Sequence, residues 1–452
     1  MNRTVFLLHR YLGIALGLVV SVWCLSGFVM MYVQYPELTP EQQATSLAPL
    51  DLTECCRLPA DLSAIAHEPL ESLRIEPMAG RPLLRLVLES GERYQVDLAH
   101  GKFIDGIGES GAAAVAASYA GVAGIDGFEF QGQLPRDQWT VYGAYDVHRP
   151  LFKFSGNDDA GTEWYVSSRT GEVVQWTTAS QRFWNWLGAV PHWLYPTLLR
   201  QHTLLWSQLV IWLTIFGTFL TVLGVYVGVR QFKARRSGRY SPYRGAALWH
   251  HYAGLVMGVF TLIWLVSGFF SMQPWGTLES RSFEAERDRY QGVALTLADA
   301  LPEIRALAGQ AVPEGTVRLE MPVVAGERML IAWDGQGRRS RLGHELRPVM
   351  PAIRQTVDRA AAMIRPGIDV LREGWIAEHD AYYYSHHDDK ALPVYRIVYA
   401  DRERYYLDPV TGAIVHAVDT NGRWYRWFHY ALHRGDFTEF VRSRPIWDLM
   451  ML

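Results

Sequence analysis

Cysteine is scarce in this chain, with three residues among 452, at positions 24, 55 and 56. Three cysteines make no disulfide framework and no zinc site of the usual spacing. The adjacent pair Cys55 and Cys56 therefore reads as small buried or surface residues. A basic excess is missing too. The net charge of −3 gives no footing for a nucleic-acid partner. The HExxH, GxSxG and Walker A patterns are absent, which removes the common zinc-peptidase, serine-hydrolase and P-loop readings. GIGESG (106–111) does match G-x-G-x-x-G, but a lone match ahead of AAAVAASYAG reads as a turn feeding a helix.

Apolar runs are what the chain has instead. Hydrophobic residues make up 49% of it, and its 17 Trp and 23 Tyr suit membrane–water interfaces. Three runs are long enough for a crossing, which takes ~20 residues: Leu12 to Val33, about Leu204 to Val229, and about Ala253 to Met272. The first is too long for a signal peptide, and no small-residue cleavage site follows it. Between the second and third lies RQFKARRSGRYSPYRG, with Arg230, Lys233, Arg235, Arg236, Arg239 and Arg244 and no acid. The positive-inside rule makes this loop cytoplasmic, and with it the N-terminus carrying Arg3 and Arg10. The expectation is a multi-pass protein of a bacterial inner membrane. Residues of about 35–195 and 275–425 then face the periplasm, where nicotinamide cofactors are not supplied.

One offset, 241 residues, relates the two halves. It carries His9 onto His250, Tyr11 onto Tyr252, Trp23 onto Trp264, and Ser26-Gly27-Phe28 onto Ser267-Gly268-Phe269. Far downstream it carries Tyr165 onto Tyr406, Trp186 onto Trp427, His192 onto His433 and Trp206 onto Trp447. A single register over some 200 residues reads as a tandem parallel repeat. It puts a fourth span from about Pro445, yet only IWDLMML follows, so that span is expected to be truncated. The expected class is an α-helical membrane bundle, three complete spans plus the truncated fourth, with two α+β extracytoplasmic domains. Its segments are a first span (1–34), domain 1 (35–181), an interfacial helix and second span (182–231) and a basic loop (232–246). A third span (247–274), domain 2 (275–422) and an interfacial helix with the start of span four (423–452) complete it. In the domains, EWYVSSRTGEVV (163–174), RYYLDPVTGAIV (404–415) and RYQVDLAHGKFI (93–104) read as strand–turn–strand, and LADALPEIRAL (297–307) as a helix.

The motifs LHRYLG…WCLSGF and WHHYAG…WLVSGF, the YYLDPVTG hairpin, PHWLYPTLLR and YRWFHYALHRGDF together resemble the PepSY-associated transmembrane proteins over nearly the whole chain. That resemblance implies PepSY-like domains in an iron-regulated inner-membrane protein, some of whose relatives look like haem-b ferric-siderophore reductases.

The histidines carry the chemistry. Ionisable groups at membrane depth are costly and usually functional. His9 and His250 stand at matching helix mouths, and His192 and His433 form a second matching pair near the outer face. Two neutral imidazoles on opposite faces of a porphyrin give a six-coordinate haem suited to electron transfer. The expectation is two haems b, one per pair, with His251, His202 and His429 as spare ligands. His429 and His433 also sit four residues apart, a spacing that suits Zn or Cu but lacks a visible third ligand. His386, His387, Asp388 and Asp389, in HDAYYYSHHDD (379–389), are candidates to meet a substrate, although a solvated loop is the commoner role of such a segment. No catalytic residue is identified.

The expected function is an oxidoreductase that passes electrons across the bilayer to an extracytoplasmic ferric chelate or siderophore. Its electron donor is left open, and oligomerisation is compatible with it. The alternative is a non-enzymatic membrane protein whose domains bind a peptide or protein partner, with the histidines as interfacial packing.

Overall fold

The computed structural model describes residues 3–121, 127–234, 238–343, 345–349, 353–385 and 390–451. Three helices are long and apolar enough to cross a membrane: span 1 (Arg3–Met30), span 2 (Thr203–Gln231) and span 3 (Ala246–Ser271). Helix is the structure that these runs require, because hydrocarbon offers no partner to a free backbone N–H or C=O. Span 2 packs against both of the others. Glycines make the approach to span 3 close: a Cβ on Gly217 would stand 3.2 Å from Leu265 Cδ2, and one on Gly228 would stand 2.9 Å from Leu255 Cδ2. Small residues at such contacts let backbones meet where no hydrophobic effect drives them together. Arg235 and Arg236 of the basic loop lie outside the described residues.

The β-rich segments follow the C-terminal ends of spans 1 and 3. Two four-stranded antiparallel sheets have the expected hairpins. In the first half, β5 (Phe128–Leu134), β6 (Leu151–Gly156), β7 (Glu163–Ser167) and β8 (Val173–Thr177) pair in sequence order. Alternate residues Phe152, Phe154, Trp164 and Val166 meet Ala112, Ala113 and Ala116 of the helix Glu109–Tyr119 in one core. In the second half, β15 (Val370–Ile376), β16 (Val394–Tyr399), β17 (Arg404–Leu407) and β18 (Ile414–Val418) do the same, with Tyr395, Ile397, Tyr399 and Tyr405 against Ala360 and Ile364. At the turn after β17, Asp408 Oδ1 accepts from the N–H groups of Val410 and Thr411 while Gly412 takes φ +76°. These are the turn roles expected of Asp-Pro and Gly.

The sequence did not disclose a third, larger sheet shared by the halves. It runs β14–β13–β10–β1–β2–β3–β4, with the short strand β9 (Leu295–Thr296) also on β1. Its members are β1 (Pro69–Met78), β2 (Arg81–Leu88), β3 (Arg93–Asp97) and β4 (Lys102–Phe103), then β10 (Thr316–Glu320), β13 (Leu330–Asp334) and β14 (Arg339–Leu342). The seam is β1 against β10, antiparallel, with Ile75 opposite Leu319. A ten-residue strand left as an edge would present unpaired backbone groups, and here the other half covers them. Val323–Val324 and Glu327–Arg328 form the small sheet β11–β12. Beneath the seam, Glu76 accepts from Arg85 Nε at 2.6 Å and from Arg318 Nε at 2.7 Å, all three side chains being nearly inaccessible. Arg318 lies 2% exposed, so its charge is met by protein rather than water: Glu76 foremost, with Gln43 accepting from Nη2 at 2.9 Å and Glu320 3.8 Å from Nη1.

One expectation is corrected. Cys55 and Cys56 are joined by a disulfide rather than standing as separate small residues. Neighbouring thiols had no spacing pattern to betray them.

Candidate functional site

Span 1 carries residues 9 and 26 some seventeen positions apart, about 25 Å at the helical rise. That is close to the ~30 Å of a hydrocarbon core, and a histidine pair sits at each level.

At the first level, His9 of span 1 faces His250 of span 3, ring centroids 6.2 Å apart and planes 29° from parallel. His9 Nδ1 lies 3.3 Å from the carbonyl oxygen of Leu220 on span 2. Span 2 yields room for the ring at Gly224, where a Cβ would stand 2.7 Å from His9 Cε1.

At the second level, His192 and His433 have their centroids at the same 6.2 Å, with planes at 66°. His192 ends the short helix Ala189–His192, entered through Gly188, and its Nδ1 lies 2.9 Å from the Trp23 carbonyl oxygen and 3.2 Å from Ser26 Oγ. His433 lies in the helix Leu432–Arg434, its Nδ1 3.0 Å from Ser267 Oγ. Positions 241 apart thus make the same contact. Gly27 and Gly268 extend the match, since a Cβ on either would lie nearest to the Cε1 of its own histidine, at 3.3 and 3.6 Å.

These bonds fix tautomers. A carbonyl oxygen only accepts, so Nδ1 of His9 and His192 carries the proton and Nε2 keeps its lone pair. Ser267 donates its hydroxyl hydrogen to the Trp264 carbonyl at 3.1 Å, which leaves Oγ to accept from His433 Nδ1–H. Burial, with His192 close by, lowers His433 to about 3, and burial lowers His192 as well. The outer pair is therefore neutral near pH 7. Neutral imidazoles with anchored Nδ1 and free Nε2 are the form in which histidine ligates a metal.

The separation also fits. Two metal–nitrogen bonds of about 2 Å, plus the distance from each nitrogen to its ring centre, add up to roughly 6 Å. Ring packing alone covers similar separations, but it does not require anchored Nδ1 atoms.

The spare candidates fare differently. His251 is buried with both nitrogens engaged, Nδ1 at 2.8 Å from Ser241 Oγ and Nε2 at 2.9 Å from the Gly228 carbonyl oxygen. It is a packing residue between spans 2 and 3. His202 caps the start of span 2, exposed, and makes no described ring contact with the outer pair. His429 stacks on His433 at 5.2 Å and 30°. Among the described residues, no group of three or more His, Cys, Asp or Glu side chains is placed to hold a bare metal ion, which leaves the Zn or Cu reading of His429 and His433 without a third ligand. His386, His387, Asp388 and Asp389 lie outside the described residues. Of the same segment, the described Asp380 accepts from Tyr406 Oη at 2.8 Å and from Arg396 Nη1 at 2.7 Å.

Sequence reasoning missed Ser26, Ser267 and Gly224. The repeated Ser-Gly-Phe was visible, but nothing in it says that the hydroxyl meets a histidine 166 residues on.

A family model described as the PepSY-associated TM region matches residues 6–365, about four-fifths of the chain, and the chain belongs to that family. No curated protein and no solved structure matches it.

Proposed function

We propose that this member of the PepSY-associated transmembrane family is a haem-b electron carrier of a bacterial inner membrane, delivering electrons to an extracytoplasmic ferric chelate such as a siderophore. The carrying observation is the pair of histidine pairs, equal in centroid separation, about one bilayer apart, with Nδ1 anchored in three of the four rings. Haem b held by such pairs would supply a one-electron iron couple, which suits electron transfer.

The residues do the rest. His9 and His250 would hold the inner haem, and His192 and His433 the outer one. The Leu220 and Trp23 carbonyls and the Ser26 and Ser267 hydroxyls hold the rings in the ligating tautomer and raise their basicity. The basic loop after span 2 gives the orientation, with the inner pair and the N-terminus cytoplasmic. The match of contacts at an offset of 241 supports a tandem repeat that supplies one ligand of each pair from each half. Reduction of Fe(III) in a hard oxygen chelate weakens its hold and releases iron.

The test is the visible spectrum of the purified protein from haem-replete cells, oxidised and then reduced. Low-spin bis-histidine bands at about two haems per chain are expected. Pigment-free protein overturns the proposal and leaves the non-enzymatic partner-binding reading.

A further inference from the structure

The outer pair is symmetric in its ligands and asymmetric behind them. In the first half, the position 241 residues before His429 is Gly188, where the helix Ala179–Leu187 gives way to Ala189–His192. No side chain fits there: a Cβ would stand 2.9 Å from Val29 Cγ1 and 3.2 Å from the Trp184 carbonyl oxygen. In the second half the same place is a π-helical turn, Arg426–Ala431, and it carries His429. Single π turns gather at functional sites, since they are less stable than the helix they interrupt.

The His429 ring lies against three others. His433 is at 5.2 Å, Tyr425 at 5.3 Å and Tyr430 at 5.3 Å between centroids. Tyr425 and Tyr430, themselves 5.7 Å apart, are half-buried and reach the surface of the described structure. His429 Nδ1 is buried and has no hydrogen-bond partner. Leaving such an atom unpaired is unfavourable, because its lost hydration is not replaced. A leucine would pack there without that cost, so filling space does not account for a histidine.

We propose that electrons leave the outer pair through the second half alone, across the ring series His433, His429 and Tyr425 with Tyr430. The inference rests on the reading of His192 and His433 as haem ligands. One electron passes from the outer site to the bound ferric chelate. The chelated iron goes from Fe(III) to Fe(II) as the iron of the site goes from Fe(II) to Fe(III). The rings gain and lose nothing; they replace empty or aliphatic space with close-packed π systems between donor and acceptor. On the first-half side, Gly188 leaves that series without its middle ring.

The experiment uses the full chain and the variants His429→Leu and His429→Phe. Haem per chain and the reduced spectrum are measured first. Each protein is then reduced with dithionite without oxygen, and its re-oxidation by ferric EDTA is followed in a single turnover. All three proteins should carry the same haem with the same reduced spectrum. Re-oxidation should slow roughly tenfold in His429→Leu, the change that about 1.4 kcal/mol of added barrier brings, and should return in His429→Phe, which restores a ring. Haem-loaded variants that both re-oxidise at the parent rate, or both slowly, overturn the ring series alone. Loss of the outer haem in both variants makes His429 part of the ligand site and overturns it too. A parent protein without haem removes the underlying reading instead.

Discussion

Ser267 Oγ accepts from Nδ1 of His433 across 3.0 Å while passing its own hydrogen to the Trp264 carbonyl. The serine, with the Trp264 carbonyl, therefore sets which nitrogen of His433 is left free. Ser267→Ala removes this acceptor and leaves the ring the Trp264 carbonyl alone to hold it. Outer-shell partners of ligating histidines typically account for 10–100-fold in affinity. The expected outcome is a loss of about that size in haem affinity at the outer site, with the inner site unchanged, read by titrating haem into apo-protein. An unchanged titration would show that packing alone orients His433.

Gly224 has the corresponding part at the inner level. A methyl there would lie 2.7 Å from His9 Cε1, closer than carbon atoms tolerate. Gly224→Ala should push His9 away from His250 and reduce inner-site occupancy, leaving the outer spectrum intact. A spectrum with both sites full would place the ring elsewhere in the loaded protein.

Glu76 holds Arg85 and Arg318, one from each half, in a place almost closed to water. Both guanidiniums lose their nearest charge partner in Glu76→Gln, keeping Glu172 and Glu320 at 3.8 Å. Breaking a buried pair on one side costs about 3–5 kcal/mol. The domain part should unfold at clearly lower temperature in a detergent melt, with little change in the helical signal of the spans. A melt matching the parent would mean that other acids, such as Glu172 and Glu320, take over.

His416 on β18 is driven down to about 4 from 6.5 by burial first and by the charge of Lys390 second, with Asp380 and the Tyr382 carbonyl opposing. Below pH 6.5 the unfolded chain binds a proton there that the folded chain refuses. Stability from this residue is thus complete above pH 6.5 and is lost as pH falls toward 4. Denaturant midpoints at pH 7 and pH 5 should differ less in His416→Gln than in the parent. Equal differences in the two proteins would remove His416 as the source.

The orientation has its own check. Single cysteines at Gly238 and Gly335, in a background with Cys24, Cys55 and Cys56 replaced by Ser, should label with an impermeant thiol reagent only at the second position in intact cells. Labelling only at the first would invert the proposed direction of electron flow.

Spans, hairpins and both histidine pairs were legible because each rests on a local pattern: apolar runs, Asp-Pro and Thr-Gly turns, and one offset repeated far along the chain. The place of His251 was not legible. It depends on Ser241 and Gly228 meeting both nitrogens of His251, contacts that close over 10 and 23 residues. The β1–β10 seam was hidden for a similar reason. Nothing in a strand's own residues says which distant edge it will cover.

Each histidine pair draws one ring from either half, and this bears on how the protein is made. At roughly 5–20 residues per second of synthesis, His9 emerges tens of seconds before His250, and His192 waits similarly for His433. The first half must therefore enter the membrane with two imidazoles unmatched and with one long edge of β1 open. Completion of the pairs and closure of the seam belong to the same late stage, when the second half arrives. A chain stalled midway would hold neither pair, so a haem arriving early would find no site to occupy.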